Sequence, residues 1–297
     1  LARSAQMRIG AVFPQTEIGG DPGVVREYVT AVEEMGFDHL VIYDHVIGAS
    51  VENRPDWRGP YTSESMFHEP FVLFGYLAAL TTRLELVTGV IILPQRQTVL
   101  VAKQAAEVDV LSGGRMRLGV GIGWNEVEFE ALDEDFHTRG RRLEEQVEVL
   151  RALWTQPVVT FAGKWHTITE AGLNPLPVQR PIPIWFGGVA DAAMKRIARI
   201  GDGWMPQMPP HERARELVEQ LRADVRVAGR AEDAVGVEAR MGLGQIRDEA
   251  GWESFARGWR DLGATYLDLN TMGAGYTNVG QHLDALRKAK AVVEKIS

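Results

Sequence analysis

Asp44-His45, Gly121-Ile122-Gly123-Trp124 and Gly187-Gly188 are the stretches of this chain whose residue types could do chemistry. Each follows a short apolar run that reads as a β-strand. An imidazole titrates near neutral pH and can pass a proton. Glycine lets main chain approach a ligand closely. Gly187-Gly188 also stands just before a helix, where free N–H groups favour an anion. These features suit a large planar ring at residues 121–123 and a phosphate at 187–188. The spacing supports a second reading equally well. Gly119, Gly121 and Gly123 lie two apart, share one face of a strand, and could simply make room for neighbours.

Other chemistries lack their parts. The chain has no cysteine, which excludes disulfides, thiolate catalysis and thiolate metal ligation. One histidine at a strand end, with no second histidine at ligand spacing, gives no expected metal site. No lysine closes a strand for Schiff-base work, no carboxylate pair suits a glycosidase, and no serine stands beside a base. The side chains alone therefore cannot do demanding chemistry, and a cofactor must carry it. A net charge of −8 without a basic run argues against a nucleic-acid partner. No apolar window is long enough to span a membrane. The absence of thiols fits a reducing compartment, so a cytoplasmic location is expected. Residues 1–6 ("LARSAQ") read as a cloning remnant or a disordered lead-in.

The elements that must position these residues alternate along the chain. Strands are expected at 8–13, 39–46, 84–93, 115–121, 182–188, 202–206, 235–241 and 264–270, each with a helix after it. Asp21-Pro22 starts the first helix and Gly36 ends it. Thr98 reads as the cap of the third, and the acid Glu126 as a solvated helix start. Eight such repeats predict an α/β fold, a (β/α)8 TIM barrel, as a single domain over 7–297. Insertions interrupt it after strand 2 (48–70, polar and Pro-rich) and before strand 5 (a hairpin, 158–168). The competing doubly wound sheet lacks a G-x-G-x-x-G after the first strand. Barrel chemistry sits at the carboxyl ends of strands. That rule gathers Gln15, Asp44, His45, Gly89, Val90, Gly121, Gly123, Trp124, Gly187, Gly188 and Asn270. The insertion after strand 2 carries Trp57, Tyr61, Met66, Phe67 and His68. It reads either as a lid over a substrate or as a contact surface. His137, His166, His211 and His282 read as structural.

The motifs "YDHV" (43–46), "LVTGVIILPQRQTVLVAKQAAEVDVLSGGRMRLGVGIGWNEVEFEALDEDF" (86–136), "RGRRLEEQVEVLRALW" (139–154), "PIPIWFGG" (181–188) and "RIGDGWMP" (199–206) resemble the luciferase-like flavin and deazaflavin oxidoreductases. The resemblance covers nearly the whole chain and is strongest to the branch that uses coenzyme F420. It implies that His45 faces the reactive edge of the ring and that Asp44 orients His45. It implies that Gly89-Val90 carries a non-prolyl cis peptide behind the ring. Gly121, Ile122 and Gly123 would contact the ring through main chain, and Gly187 and Gly188 the phosphate. Gln15 and Trp124 stand where sugar-phosphate dehydrogenases of the family carry carboxylates, which argues against that reaction. With Met66 and Asn270 they are the expected substrate-pocket residues. The implied function is F420-dependent hydride exchange with a small organic substrate, His45 assisting proton transfer. An FMN-dependent monooxygenase and a non-catalytic flavin-binding protein are the alternatives. The resemblance also implies a homodimer.

Overall fold

The computed structural model describes residues 7–296. The expectation for residues 1–6 falls outside the described residues. In chain order the elements are β1 (Arg8–Val12), α1 (Pro22–Glu34), β2 (His39–Ile42), α2 (Pro70–Leu80), β3 (Glu85–Thr88), β4 (Ile91–Ile92), α3 (Thr98–Ser112), β5 (Met116–Gly121), α4 (Glu126–Ala131), α5 (Arg139–Thr155), β6 (Val159–Ala162), β7 (Thr167–Ala171), β8 (Ile184–Gly187), α6 (Asp191–Ile200), β9 (Gly203–Met205), α7 (Glu212–Val227), β10 (Gly236–Gly242), α8 (Glu249–Asp261), β11 (Tyr266–Asn270) and α9 (Val279–Val293). The fold is the expected (β/α)8 barrel. Two compact units make it up: residues 7–42, 83–87 and 185–296 form one, and residues 43–82 and 88–184 the other.

In the first unit, β1 lies parallel between β2 and β11, with Gly10 opposite both His39 and Asp268. β11 pairs with β10, β10 with β9, and β9 with β8. Helix α1 starts as its sequence dictates. Asp21 accepts from Gly23 N at 2.6 Å and Val24 N at 3.3 Å, and Pro22 takes the first helical position. Val25, Tyr28, Val29 and Val32 form its buried stripe.

Within the first unit a charged cluster is sealed inside. The His39 ring donates to or accepts from Asp268 at 2.7 Å, lies 3.5 Å from Glu238, and Arg240 grips the other Asp268 oxygen at 3.1 Å. A Cβ on Gly10 would fall 2.1 Å from His39 Nε2, so only glycine leaves room for the ring. His39, Glu238 and Asp268 are the one grouping among the described residues that could hold a cation. Arg240 already supplies positive charge there, and His39 and Asp268 are hydrogen-bonded to each other. Burial and the Glu238 charge push Asp268 upward. Burial lowers His39, but its two carboxylate partners outweigh that and raise it.

The expected strand 84–93 is interrupted after β3. β4 pairs with β5, Ile91 opposite Val120 and Ile92 opposite Gly121. The Gly89–Val90 peptide between β3 and β4 is cis. Thr98 does not cap α3: Gln97 holds the cap position without a side-chain bond. The Thr98 hydroxyl pairs instead with His166 Nε2 at 2.6 Å and accepts from Gln146 at 3.0 Å. His166 belongs to the β6–β7 hairpin, whose turn is held on α5. There Glu145 accepts from the Lys164, Trp165 and His166 amides, each at 2.8 Å. The hairpin is thus the expected insertion, extended to Ala171, and His166 is structural.

Candidate active site

β2 ends at Ile42, so His45 lies three residues past the strand rather than closing it. Its partner is an acid that carries no distinguishing signal in the sequence. His45 Nδ1 meets Glu128 Oε1 at 3.0 Å. A carboxylate only accepts, so Nδ1 carries the proton and Nε2 presents either a lone pair or, in the cation, an acid N–H. Among the described residues Nε2 has no protein partner.

Glu128 is well equipped to hold that proton. Its side chain is 1% exposed. Val46 N donates to it at 3.1 Å and Gln95 Nε2 at 3.2 Å. Burial works to raise its pKa, but the bonds from His45, Gln95 and the Ile47 amide outweigh it and keep the carboxyl below its ordinary value. Glu128 thus stays ionised at neutral pH. Glu126, two residues earlier, is exposed, as a solvated helix start should be. Glu128 occupies the third helical position after the Asn125 cap, where an acid usually turns back on its own helix. Here it faces the loop after β2 instead.

Asp44 does not orient His45. Its Oδ1 accepts from Arg96 Nη2 at 2.8 Å and its Oδ2 from Ile92 N at 3.1 Å. Both oxygens are thereby turned onto β4 and the segment after it. The cause is charge: a guanidinium outcompetes an imidazole for a buried carboxylate.

The insertion after β2 folds aromatic rings onto the imidazole. Phe67 stacks edge-on at 4.7 Å, Tyr61 lies at 5.0 Å and Trp124 at 5.7 Å, while Trp57 packs on Trp124. The His45 side chain is left 11% exposed. A cavity of about 180 Å³ borders it, lined by Gly48, Tyr61, Thr62, Ser65, Phe67 and Asn125 among others. Met66 is half-buried in the same insertion, and Trp124 is 42% exposed beside it.

Gly121, which ends β5, and Gly123, two residues past it, make room for side chains of their own unit. A Cβ on Gly121 would stand 2.7 Å from Val90 Cγ2, and one on Gly123 2.6 Å from Ile92 Cγ2. Gly123 also has φ +71°, which glycine adopts freely. Val90 therefore lies flat on Gly121 and stays half-buried. Together with half-buried Ile122 it offers an apolar surface that a flat ring can use. In the other unit, Gly187 ends β8 and Gly188 has φ +111° ahead of α6. The Gly188 carbonyl accepts from the buried Trp204 indole at 2.8 Å, so Trp204 packs rather than walls a pocket. Gln15 is fully buried after β1, and Asn270 ends β11, its Oδ1 accepting from Met272 N at 3.0 Å.

Comparison with solved structures agrees on the barrel fold. An F420-dependent secondary alcohol dehydrogenase superposes with a TM-score of 0.79, covering 97% of this chain and 99% of that one at 17% identity. The chain belongs to the luciferase-like monooxygenase family, whose model matches residues 7–291. An uncharacterized protein of Mycobacterium tuberculosis is 39% identical over 181 residues, 59% of this chain and 62% of that protein. An FMNH2-dependent dimethylsulfone monooxygenase of Pseudomonas putida is 32% identical over 187 residues, 62% of this chain and 51% of that enzyme. The chain thus spans less than two thirds of the length of these relatives. No helix among the described residues is long and apolar enough to cross a membrane.

Proposed function

We propose that this protein is an F420-dependent oxidoreductase that exchanges a hydride with a small organic substrate, His45 moving the accompanying proton. The observation that carries the reading is the imidazole itself. Its Nδ1 is committed to a buried, ionised carboxylate, its Nε2 is unpartnered, and aromatic rings surround it. A deazaflavin, when bound, supplies the hydride chemistry. The half-buried surface of Val90 fits such a ring, with the main chain of Gly89, Gly121, Ile122 and Gly123 beside it. Gly187 and Gly188, which place no side chain before α6, serve its phosphate. Trp124, Met66, Gln15 and Asn270 are assigned to the substrate. Glu128 fixes the imidazole tautomer, so Nε2 is always the working atom. The rings of Tyr61, Phe67 and Trp124 keep water away from it, which strengthens proton transfer in the closed site. The working form is a homodimer in the cytoplasm.

FMN is the second reading, favoured by the 32% identity to the dimethylsulfone monooxygenase. Fluorescence quenching with each cofactor separates the two: tight FMN binding with no response to F420 reverses the choice. His45→Gln tests the residue. Cofactor affinity should hold, while turnover falls by roughly 10²–10⁴-fold. Full activity in that variant removes His45 from the mechanism. Size-exclusion chromatography with light scattering checks the dimer.

A further inference from the structure

Two consecutive residues, Gln95 and Arg96, each hold a different carboxylate: one that contacts His45 and one next to it in sequence. Gln95 Nε2 holds Glu128, the acid that His45 uses. Arg96 Nη2 holds Asp44, the acid next to His45 in sequence, at 2.8 Å. The same guanidinium reaches Glu69 Oε1 at 3.0 Å. Glu69 in turn caps α2, its other oxygen accepting from Val72 N at 2.8 Å. Residues 45–68, with Tyr61 and Phe67, therefore hang between two carboxylates pinned to one side chain. Arg96 is itself anchored, since its carbonyl accepts from Gln146 at 3.2 Å and its side chain is 13% exposed.

We infer that Arg96 is a positioning residue: it withdraws Asp44 from His45, leaves Glu128 as the sole carboxylate on the imidazole, and fixes both ends of the aromatic insertion. This rests on the reading of His45 as the proton-transfer group. Among the described residues, the titratable and charged groups in contact with the imidazole or beside it in sequence are these. Glu128 comes from α4, Tyr61 from the insertion, and Asp44 from its own loop, with Arg96 behind Asp44. Without the guanidinium, Asp44 is an uncompensated negative charge one residue from His45. An added anion so close favours the imidazolium. Arg96 thus governs which carboxylate charge the imidazole meets, and it does so without touching the ring.

The test needs no substrate. The imidazole of His45, assigned by the signal lost in His45→Gln, is titrated by NMR in the wild-type chain, Arg96→Met and Arg96→Met/Asp44→Asn. Arg96→Met should raise the His45 midpoint by at least about half a pH unit, and adding Asp44→Asn should return it to the wild-type value. An unchanged midpoint in Arg96→Met overturns the inference, as does a shift that survives in the double variant. If Arg96→Met does not fold, Asp44→Asn alone decides. The guanidinium then keeps only Glu69 as a counter-charge and the midpoint should fall; no change overturns the inference. Activity of His45→Gln separates the two levels. A fully active His45→Gln sinks the functional reading and this inference together. An inactive one with an unmoved midpoint in Arg96→Met sinks only the inference.

Discussion

At the scale of single residues, His45 and Glu128 share one hydrogen bond. The Glu128 oxygens take donors from His45, Val46, Ile47 and Gln95, so the carboxylate is nearly saturated. Glu128→Gln keeps an acceptor oxygen for Nδ1 and removes the charge that steadies a protonated ring. We expect turnover to fall by roughly 10- to 100-fold while cofactor affinity holds, because an imidazolium loses about 1–3 kcal/mol when its charged partner becomes neutral. Steady-state kinetics beside a cofactor titration checks this. Equal loss of both would mean that Glu128 shapes the fold rather than the proton.

At the scale of elements, β4 and β5 interlock through glycine. Val90 lies where a side chain on Gly121 would go, and Ile92 where one on Gly123 would go. Gly121→Ala overpacks this contact and should cost roughly 1–3 kcal/mol in urea unfolding. Val90→Ala in the same chain should restore most of the loss, since the two changes share one contact. Additive losses would show that the methyl meets something other than Val90. Both single variants should also weaken cofactor binding if the Val90 surface supports the ring.

At the scale of the whole molecule, buried histidines with opposite shifts bound the pH range of stability. Burial lowers His282 from 6.5 to about 4. Its folded pKa is below the unfolded one, so its contribution is complete above about pH 6.5 and is lost as pH falls towards 4. The loss amounts to at most about 3 kcal/mol. Glu128, also held below its ordinary value, adds to the same acid limb. His39 has the reverse sign. Its raised pKa favours the folded state at low pH, and that contribution fades as pH rises through the folded value. Urea midpoints between about pH 4 and pH 8 should therefore fall at the acid end, and His282→Gln should flatten that fall. An acid limb unaltered in His282→Gln would assign the instability elsewhere.

The alternation of strands and helices was legible in the sequence because its signals are local. The Asp21-Pro22 start, the helical spacing of Val25 to Val32, and the branched runs each act within a few residues. His45 stood out as the histidine at a strand end, whereas the cis peptide at Gly89-Val90 was implied by the family resemblance alone. Tertiary contact alone decided the partners. Glu126, Glu128 and Glu130 read alike in the sequence; which one turns inward depends on where α4 docks, and its ligand lies 83 residues away. Asp44 reads as the partner of its neighbour His45, but Arg96, 52 residues on, holds a stronger charge against it. The two readings of the β5 glycines stayed equal because a missing side chain does not say what takes its place; Val90 and Ile92, brought alongside by strand pairing, take it here. Local chemistry fixed which elements form, and the pairing of distant charges and surfaces fixed what the site can do.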